Sequence, residues 1–293
     1  MLIRFRGHEV GKQGRSGRAI RHAAQLRQAK ARKETSISSK SALPDYRRKL
    51  ARADTHIREV ERLANDWAKD NECYKIGMES ESNGELILFG EQLKPLPNDL
   101  GLVIGDALQA MRSSLDNLAF ALALKNKPEL TDDDQLGVSF PVFDRPPLPS
   151  HKSVKHMERS VVDKVLGLCP DPEVGPINDH PLWLLNKTNN RDKHRVITVA
   201  AVAVDNFSHS LSGTVKGPSR IGIGGPKRTR NVGDRVVFST FGPGSQVKVD
   251  VRALVQIVFG EGIEISDREV ITTLRWFHDY IRETVFQTLE PYL

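Results

Sequence analysis

The chain has 293 residues, of which 39% are hydrophobic and 27% are charged. This length suits one large domain or two small ones, and no apolar run approaches the roughly 18 to 20 residues that a membrane-spanning helix needs. Cys73 and Cys169 are the only cysteines, which excludes a disulfide framework and a four-cysteine zinc site. The composition predicts an α+β protein of a reducing compartment, and we expect a cytoplasmic location without membrane contact.

Basic residues are concentrated at the N-terminus. Residues 1–40 contain 11 Lys and Arg against 2 Asp and Glu, whereas residues 41–293 contain 32 against 35. We predict that residues 1–40 form a disordered basic tail, because they carry no sustained apolar pattern. Such a tail favours nucleic acid as a partner through counterion release. The alternative is a solvated extension without a role, since charge blocks are commonly no more than that.

Apolar residues at spacings of three and four predict the helices. Helices are expected to begin after Pro44, Pro97 and Pro181, and a Ser-x-x-Glu capping box at Ser266 and Glu269 marks the start of the last one. The predicted helices cover residues 45–70, 97–125, 153–168, 182–191 and 266–291. The apolar stripe of the last helix consists of Val270, Leu274, Phe277, Ile281, Val285 and Leu289.

Segments rich in Val and Ile, separated by Gly-rich turns, predict an antiparallel sheet. Asn83-Gly84 additionally predicts a hairpin between residues 73–80 and 86–93. The other predicted strands are residues 139–143, 196–204, 209–215, 235–240 and 246–259. We therefore predict one α+β domain over residues 41–293, with a helical bundle (45–195 and 266–291) and an antiparallel β-sheet insertion (196–259). The C-terminal helix should return to the bundle, because its apolar stripe needs a partner.

The long helix carries a polar arc. At 100° per residue, six polar side chains fall within about 140° of one another. They are Asp106, Gln109, Arg112, Ser113, Asp116 and Asn117. The remainder of the helix is apolar nearly all round, and Leu102, Phe120 and Leu124 lie within the same arc one or two turns away. The pattern predicts a buried helix whose polar arc is an island enclosed by hydrophobic residues.

A second polar island interrupts the apolar stripe of the helix at 182–191. It contains Asn189, Asn190, Arg191, Asp192, Lys193, His194 and Arg195. Such a helix-to-strand junction can hold a phosphate, position a base or only cap a helix. We expect the two islands to meet, because neither can be buried cheaply against hydrocarbon. In the alternative interpretation they are separate structural networks, with Arg112 paired to Asp116 and with Asp192 paired to Lys193 or Arg195.

Short motifs in this region give a resemblance. They are Gly105-Asp106-Ala107-Leu108, Arg112-Ser113-Ser114-Leu115-Asp116, Phe140-Pro141 and Asp192-Lys193-His194-Arg195. Through them the chain resembles a family of uncharacterised bacterial proteins over about residues 45–195. The Arg112 helix also resembles, more distantly, HEPN domains, which are helical bundles in which many members cleave RNA without a metal ion. In those domains an Arg and a His four to six residues later share one helix, and dimerisation completes the pair.

This sequence departs from the HEPN pattern at Asn117, which stands five residues after Arg112 where the histidine is expected. An amide cannot exchange a proton near neutral pH, so His194 becomes the candidate base. The resemblance implies an HEPN-like bundle that binds RNA, or a metal-independent endoribonuclease of a bacterial or phage system, acting as a homodimer without cofactor or metal. The candidate catalytic residues are Arg112, His194 and Asp192; the candidate substrate-binding residues are Asn117, Ser113, Lys193, Arg195 and Asn190; Asp106 and Asp116 are assigned to a structural network.

Two other functions stay open on the sequence alone. One is a non-enzymatic interaction or scaffold module whose polar islands are purely structural. The other is a DNA-associated protein, because counterion release favours either nucleic acid. We expect RNA rather than DNA as the partner of the basic tail.

Overall fold

The computed structural model describes residues 43–70, 72–204, 210–221, 227–229, 231–250 and 254–293. The predicted basic tail, residues 1–40, lies outside the described residues. Within them the chain mixes helices with small antiparallel sheets, which confirms the α+β class.

The helices are, in chain order, α1 (Asp45–Lys69), α2 (Leu100–Asn126), α3 (Asp132–Gly137), α4 (Arg159–Gly167), α5 (Pro181–Asp192), α6 (Val270–Tyr280) and α7 (Gln287–Leu289). A π-helical turn, Ile281–Phe286, joins α6 to α7. The sequence predicted α1, α2 and α5 closely because each is bounded by Pro or Asn near its ends and shows a continuous helical spacing of apolar residues.

One apolar cluster unites α1, α2 and the C-terminal helical segment. All members of the predicted stripes are buried: Leu50, Ala53, Ile57, Val60, Ala64 and Trp67 on α1, and Val270, Leu274, Phe277, Ile281, Val285 and Leu289 at the C-terminus. Arg275 of α6 adds ion pairs to Asp54 at 2.5 Å and to Glu61 at 2.9 Å, both on α1. The C-terminal helix therefore returns to the bundle, as predicted.

The strands are β1 (Tyr74–Ser80), β2 (Leu86–Gln92), β3 (Val199–Val204), β4 (Ser210–Thr214), β5 (Arg220–Ile221), β6 (Lys227–Thr229), β7 (Arg235–Phe241), β8 (Gln246–Asp250) and β9 (Leu254–Phe259). They form a four-stranded sheet in the order β1-β2-β7-β5, a three-stranded sheet β6-β3-β9 and the pair β4-β8. All pairings are antiparallel. The hairpin predicted at Asn83-Gly84 is confirmed, and Gly84 adopts a φ of 81°, which glycine tolerates without strain.

The prediction of one sheet confined to residues 196–259 is wrong. The early strand β2 pairs with β7, so that the N-terminal hairpin becomes half of a sheet completed by later strands. The Arg235 guanidinium lies 4.2 Å from the centre of the Phe89 ring and bonds Glu91 at 3.1 Å. These contacts join residues far apart in sequence, so the local Val and Ile pattern could not reveal them.

The segment 139–143, predicted as a strand, is not one. The Phe140 carbonyl accepts a hydrogen bond from Arg112, and the Phe140 N–H donates to Asp116. Pro141 has no N–H to offer a neighbouring strand. Side chains of α2 thus take the backbone hydrogen bonds that a strand partner would need.

Two predicted helix starts also need correction. Helix α4 begins at Arg159 and not at residue 153. Helix α6 begins at Val270, and the carboxylate of Glu269 accepts hydrogen bonds from the two backbone N–H groups that follow it. Ser266 instead donates to the Ile263 carbonyl, so Glu269 alone caps the helix and the predicted capping box is absent.

Candidate nucleic-acid interface

The N-terminal part of the polar arc of α2 faces solvent beside α1. Helix α1 runs antiparallel to α2. The Ser114 hydroxyl donates to the Tyr46 carbonyl at 2.7 Å, and His56, which lies further along α1, interacts electrostatically with Asp106, which lies earlier in α2. Asp106 and Gln109 are exposed, and Leu102 is 54% exposed. The prediction of a polar island enclosed by hydrophobic residues is therefore wrong at the N-terminal half of the helix, where the arc is the face of α2 turned to solvent.

Asn117 lines an open groove between α1 and α2. The groove has a volume of about 470 Å³, and its other lining residues are Asp45, Arg48, Lys49 and Arg52 of α1. We call this feature the α1–α2 groove. The Asn117 amide donates to the Ser113 carbonyl at 2.7 Å, and among the described residues its Oδ1 atom has no partner. The groove therefore combines three cationic side chains with a free amide acceptor.

The cations of the α1–α2 groove differ in how they are neutralised. Arg48 pairs with Asp45 at 3.1 Å. Lys49 and Arg52 are exposed, and neither forms an ion pair with any residue that the structure describes. Charges left without an internal counter-ion are available to an anion from outside the protein, and phosphate is the anion that Arg and Lys bind most readily.

His56 continues the same stripe of α1 one turn beyond Arg52. Burial and the neighbouring charge of Arg52 lower the pKa of His56, and Asp106 opposes that effect. The imidazole is therefore neutral near pH 7 and able to accept a proton. His56 is half-buried, and it is not among the residues that line the groove.

Arg112 points away from the groove. Its guanidinium donates to Asp116 at 2.8 Å and to the Phe140 carbonyl at 2.7 Å, and Asp116 accepts from the Phe140 N–H at 3.0 Å. The Arg112 side chain is 13% exposed and that of Asp116 is 39% exposed. Burial lowers the pKa of Arg112, while Asp116 opposes the shift. Arg112 and Asp116 thus form a pair that anchors the Phe140 segment to α2.

The two polar islands meet through carboxylates. Asp192 at the end of α5 lies against Gly105 so closely that a Cβ atom there would be 2.4 Å from its Oδ2 atom. Burial and then the charge of Asp106 raise the pKa of Asp192. The predicted ion pair of Asp192 with Lys193 or Arg195 is wrong, because Lys193 donates to Asn190 at 3.1 Å and no described residue forms an ion pair with Asp192.

His194 and Arg195 are exposed at the end of the second island. Among the described residues no hydrogen bond or ion pair joins His194 to Arg112, so the catalytic pairing of these two residues stays a prediction. Asn189 is buried, and neither its amide nitrogen nor its oxygen has a partner in the described part of the chain. The structure thus brings Asp106 near Asp192 and Asn117 near the α1 cations, but places His194 on the surface.

The sequence did not single out Lys49 and Arg52. Both lie on α1 next to its buried stripe, where basic residues are ordinarily solvated and carry no functional signal. They become candidate binding residues only in the folded protein, where α2 packs antiparallel to α1 and Asn117 lines the same groove. A local signal was nevertheless present, since Lys49, Arg52 and His56 recur at intervals of three and four along one face.

No protein-family model matches the chain, and neither a curated protein nor a solved structure matches it. Within the described ranges, no group of three or more His, Cys, Asp and Glu side chains is arranged to hold a metal ion. None of the helices described has the length and apolar character required to cross a lipid bilayer.

Proposed function

We propose that this protein is an HEPN-like RNA-binding protein and that the α1–α2 groove holds the RNA backbone. The observation that carries the proposal is the set of cations opposite Asn117, of which Lys49 and Arg52 have no counter-ion among the described residues. This cluster stands out because residues 41–293 as a whole are slightly acidic, with 32 Lys and Arg against 35 Asp and Glu. A local concentration of positive charge therefore supports a specific anionic partner.

RNA is favoured over DNA by the chemistry of Asn117. Asn117 lines the groove together with the cations, and its Oδ1 atom, which has no partner among the described residues, can accept a hydrogen bond from a ribose 2′-hydroxyl. That hydroxyl is the group by which proteins distinguish RNA from DNA. A DNA-associated protein would have no use for this acceptor at the backbone.

The test replaces Lys49 and Arg52 by Ala together and measures binding of a single-stranded RNA over a range of salt concentrations. We expect the affinity to fall about tenfold and the log–log salt slope to lose about 1.4 in magnitude, as two phosphate contacts disappear. The matched control is Arg58→Ala with Arg62→Ala, which removes the same charge from the same helix. Arg58 lies about 180° around α1 from Lys49, and the two control residues pair with Asp54, Glu59 and Asp66 of the same helix.

Equal losses in the two double variants would contradict the proposal, because they would report net charge alone. The same titration should be made with DNA of the same sequence and with Asn117→Ala. If Asn117 binds the 2′-hydroxyl in the groove, Asn117→Ala should lower the ratio of the affinity for RNA to the affinity for DNA. A preference that survives Asn117→Ala would remove the role assigned to that side chain.

A metal-independent endoribonuclease is the second candidate function. His56 favours it, because it lies one helical turn from the groove residue Arg52 and is a neutral imidazole that can act as a general base. If cleavage occurs at the groove, His56→Ala should lower its rate by about 10² or more, while His194→Ala should leave it unchanged. The opposite result would support the catalytic role assigned to His194 from the sequence.

Asn117→His extends the same experiment. It restores the Arg and His spacing of active HEPN domains and should raise any weak cleavage. A parent protein and an Asn117→His variant that both bind RNA without cutting it would end the enzyme hypothesis and leave RNA binding as the function.

A further inference from the structure

A second cavity shares no lining residue with the α1–α2 groove. It has a volume of about 350 Å³ and lies among the end of α4, the loop that follows, the start of α5 and the end of α6. The residues that matter for its chemistry are Cys169, Asp171, Asp179, His180 and Tyr280. Leu166, Val174, Pro176, Ile177 and Pro181 complete walls that are largely apolar, as in most small-molecule sites.

His180 presents a hydrogen-bond donor to this cavity. Its Nδ1 atom accepts from the Leu182 N–H at 3.3 Å and so caps helix α5. Burial lowers the pKa of His180, so the ring is neutral near pH 7. A neutral imidazole that accepts at Nδ1 carries its proton on Nε2. The Nε2–H group has no partner among the described residues.

Tyr280 presents a second donor. Its ring packs edge to face against His180, with the ring centres 5.8 Å apart and the planes at 74°. Its hydroxyl makes no hydrogen bond to any residue that the structure describes, and burial raises the pKa of Tyr280. The hydroxyl therefore stays protonated, and the two rings offer aromatic surface together with two neutral donors.

The charges of the lining exclude anions. Asp171 and Asp179 are the charged lining residues, and no Lys or Arg belongs to the described lining. Arg268 reaches Asp179 from outside the cavity at 3.4 Å. A phosphate or carboxylate would therefore meet the charge of Asp171 and would find no Lys or Arg in the described lining to bind it. An uncharged planar heterocycle can instead accept from His180 and Tyr280 and offer an amino group to a carboxylate.

We propose that this cavity binds a purine base. The ring nitrogens of the base accept hydrogen bonds from His180 and Tyr280, and the base packs against the aromatic wall of the cavity. The base comes either from a free nucleoside or from an unstacked nucleotide of RNA, since both present the same ring. Cys169 closes the inner end as a thiol, because burial raises its pKa to about 12. The proposal does not depend on RNA binding at the α1–α2 groove.

The experiment titrates the full-length protein with adenosine and with guanosine by calorimetry, using ribose 5-phosphate as a probe without a base. We expect one of the nucleosides to bind and ribose 5-phosphate not to bind. Tyr280→Phe removes the hydroxyl and keeps the ring, and His180→Asn removes the Nε2 donor while Asn still caps the helix. Each should weaken binding about tenfold, whereas the matched change Tyr292→Phe, outside the cavity, should have no effect.

A second arm separates the two sources of the base. A single-stranded RNA that contains one adenine is compared with the same strand carrying an abasic site at that position. If only the RNA binds, the intact strand should bind more tightly than the abasic strand, and Tyr280→Phe should abolish the difference. Absence of binding in both arms, or binding that both Tyr280→Phe and His180→Asn leave unchanged, would overturn the proposal.

Discussion

The side of α2 that carries Arg112 and the side that borders α1 differ in whether their cationic side chains have an ionic partner. Arg112 is bonded to Asp116 and to the Phe140 backbone, whereas Lys49 and Arg52, beside Asn117, have no counter-ion among the described residues. Arg112 and Asn117 are only five residues apart, but five residues rotate the helix by about 140°. The comparison teaches that the buried charge anchors the fold and that the exposed, unpaired charge is the one available to a ligand.

The largest expected effect is the loss of stability in Arg112→Ala. This change leaves the buried Phe140 carbonyl without its donor and Asp116 without its counter-ion. The buried carbonyl left unpaired and the lost packing of the largely buried Arg112 side chain should together lower the free energy of unfolding by about 3 kcal/mol, which denaturant titration measures. The contrasting variants are Lys49→Ala and Arg52→Ala, which should stay within about 0.5 kcal/mol of the parent. If Arg112→Ala changed the free energy of unfolding no more than Lys49→Ala and Arg52→Ala do, Arg112 would not be an anchor of the fold.

An intermediate effect is expected from Gly101→Ala on the α5-facing side. An added Cβ would lie 2.4 Å from the Ile197 carbonyl oxygen and 2.9 Å from Val196. Replacing a helical Gly by Ala ordinarily stabilises by up to about 1 kcal/mol, but here the crowding should cost about 1 to 3 kcal/mol. Gly167→Ala is the matched control, because nothing lies within 4 Å of its added Cβ. Equal melting temperatures for the two variants would mean that α2 does not need its close approach to this junction.

The smallest effect concerns Asp192, where the two polar islands meet. Its folded-state pKa is raised by burial and by Asp106, so the unfolded chain releases this proton at a lower pH than the folded protein does. This carboxyl therefore makes the free energy of unfolding fall as the pH rises from its ordinary pKa through its raised folded-state value. Asp192→Asn should abolish that fall and raise stability slightly at pH 7.

Asp134→Asn supplies the control of opposite sign for the pH experiment. Lys127 above all, and then His156 and Lys155, hold the pKa of Asp134 below its ordinary range. The stability that Asp134 contributes is present above its unfolded-state pKa and is lost as the pH falls through its depressed folded-state pKa. Denaturation followed from pH 3 to pH 8 should therefore show opposite changes in slope for the two variants, and changes of the same sign would contradict the assignment at Asp192.

The sequence was sufficient for features that depend on local spacing. The stripes of α1 and α6, the turn at Asn83-Gly84 and the bond from Arg112 to Asp116 all follow from residues three or four positions apart or from one turn dipeptide. The outward position of Asp106 and Gln109 did not follow, because it depends on which helices flank α2. Helical periodicity predicts which residues share a face of the helix. It does not predict which other elements pack against that face.

The candidate site shows the same limit. The sequence named Asn117 as a binding residue from its place in the polar arc, and it named Arg112 and His194 from the resemblance. It missed Lys49 and Arg52, because the register between α1 and α2 is set by contacts such as Ser114 with Tyr46, which are 68 residues apart. It missed the cavity at His180 and Tyr280 for a similar reason, since α5 and α6 are separated by the strands β3 to β9.

The pairing of β2 with β7 has a consequence for the order of folding. Bonds such as that from Arg235 to Glu79, 156 residues apart, give the four-stranded sheet a high contact order, and such sheets form slowly. During synthesis the hairpin of β1 and β2 emerges long before β7, so the edge of β2, with its Leu86, Ile87, Leu88 and Phe89, stays unpaired in the meantime. A chain that ends before residue 235 lacks the strand that pairs with this edge, so we expect such a chain to aggregate more readily than the full-length protein.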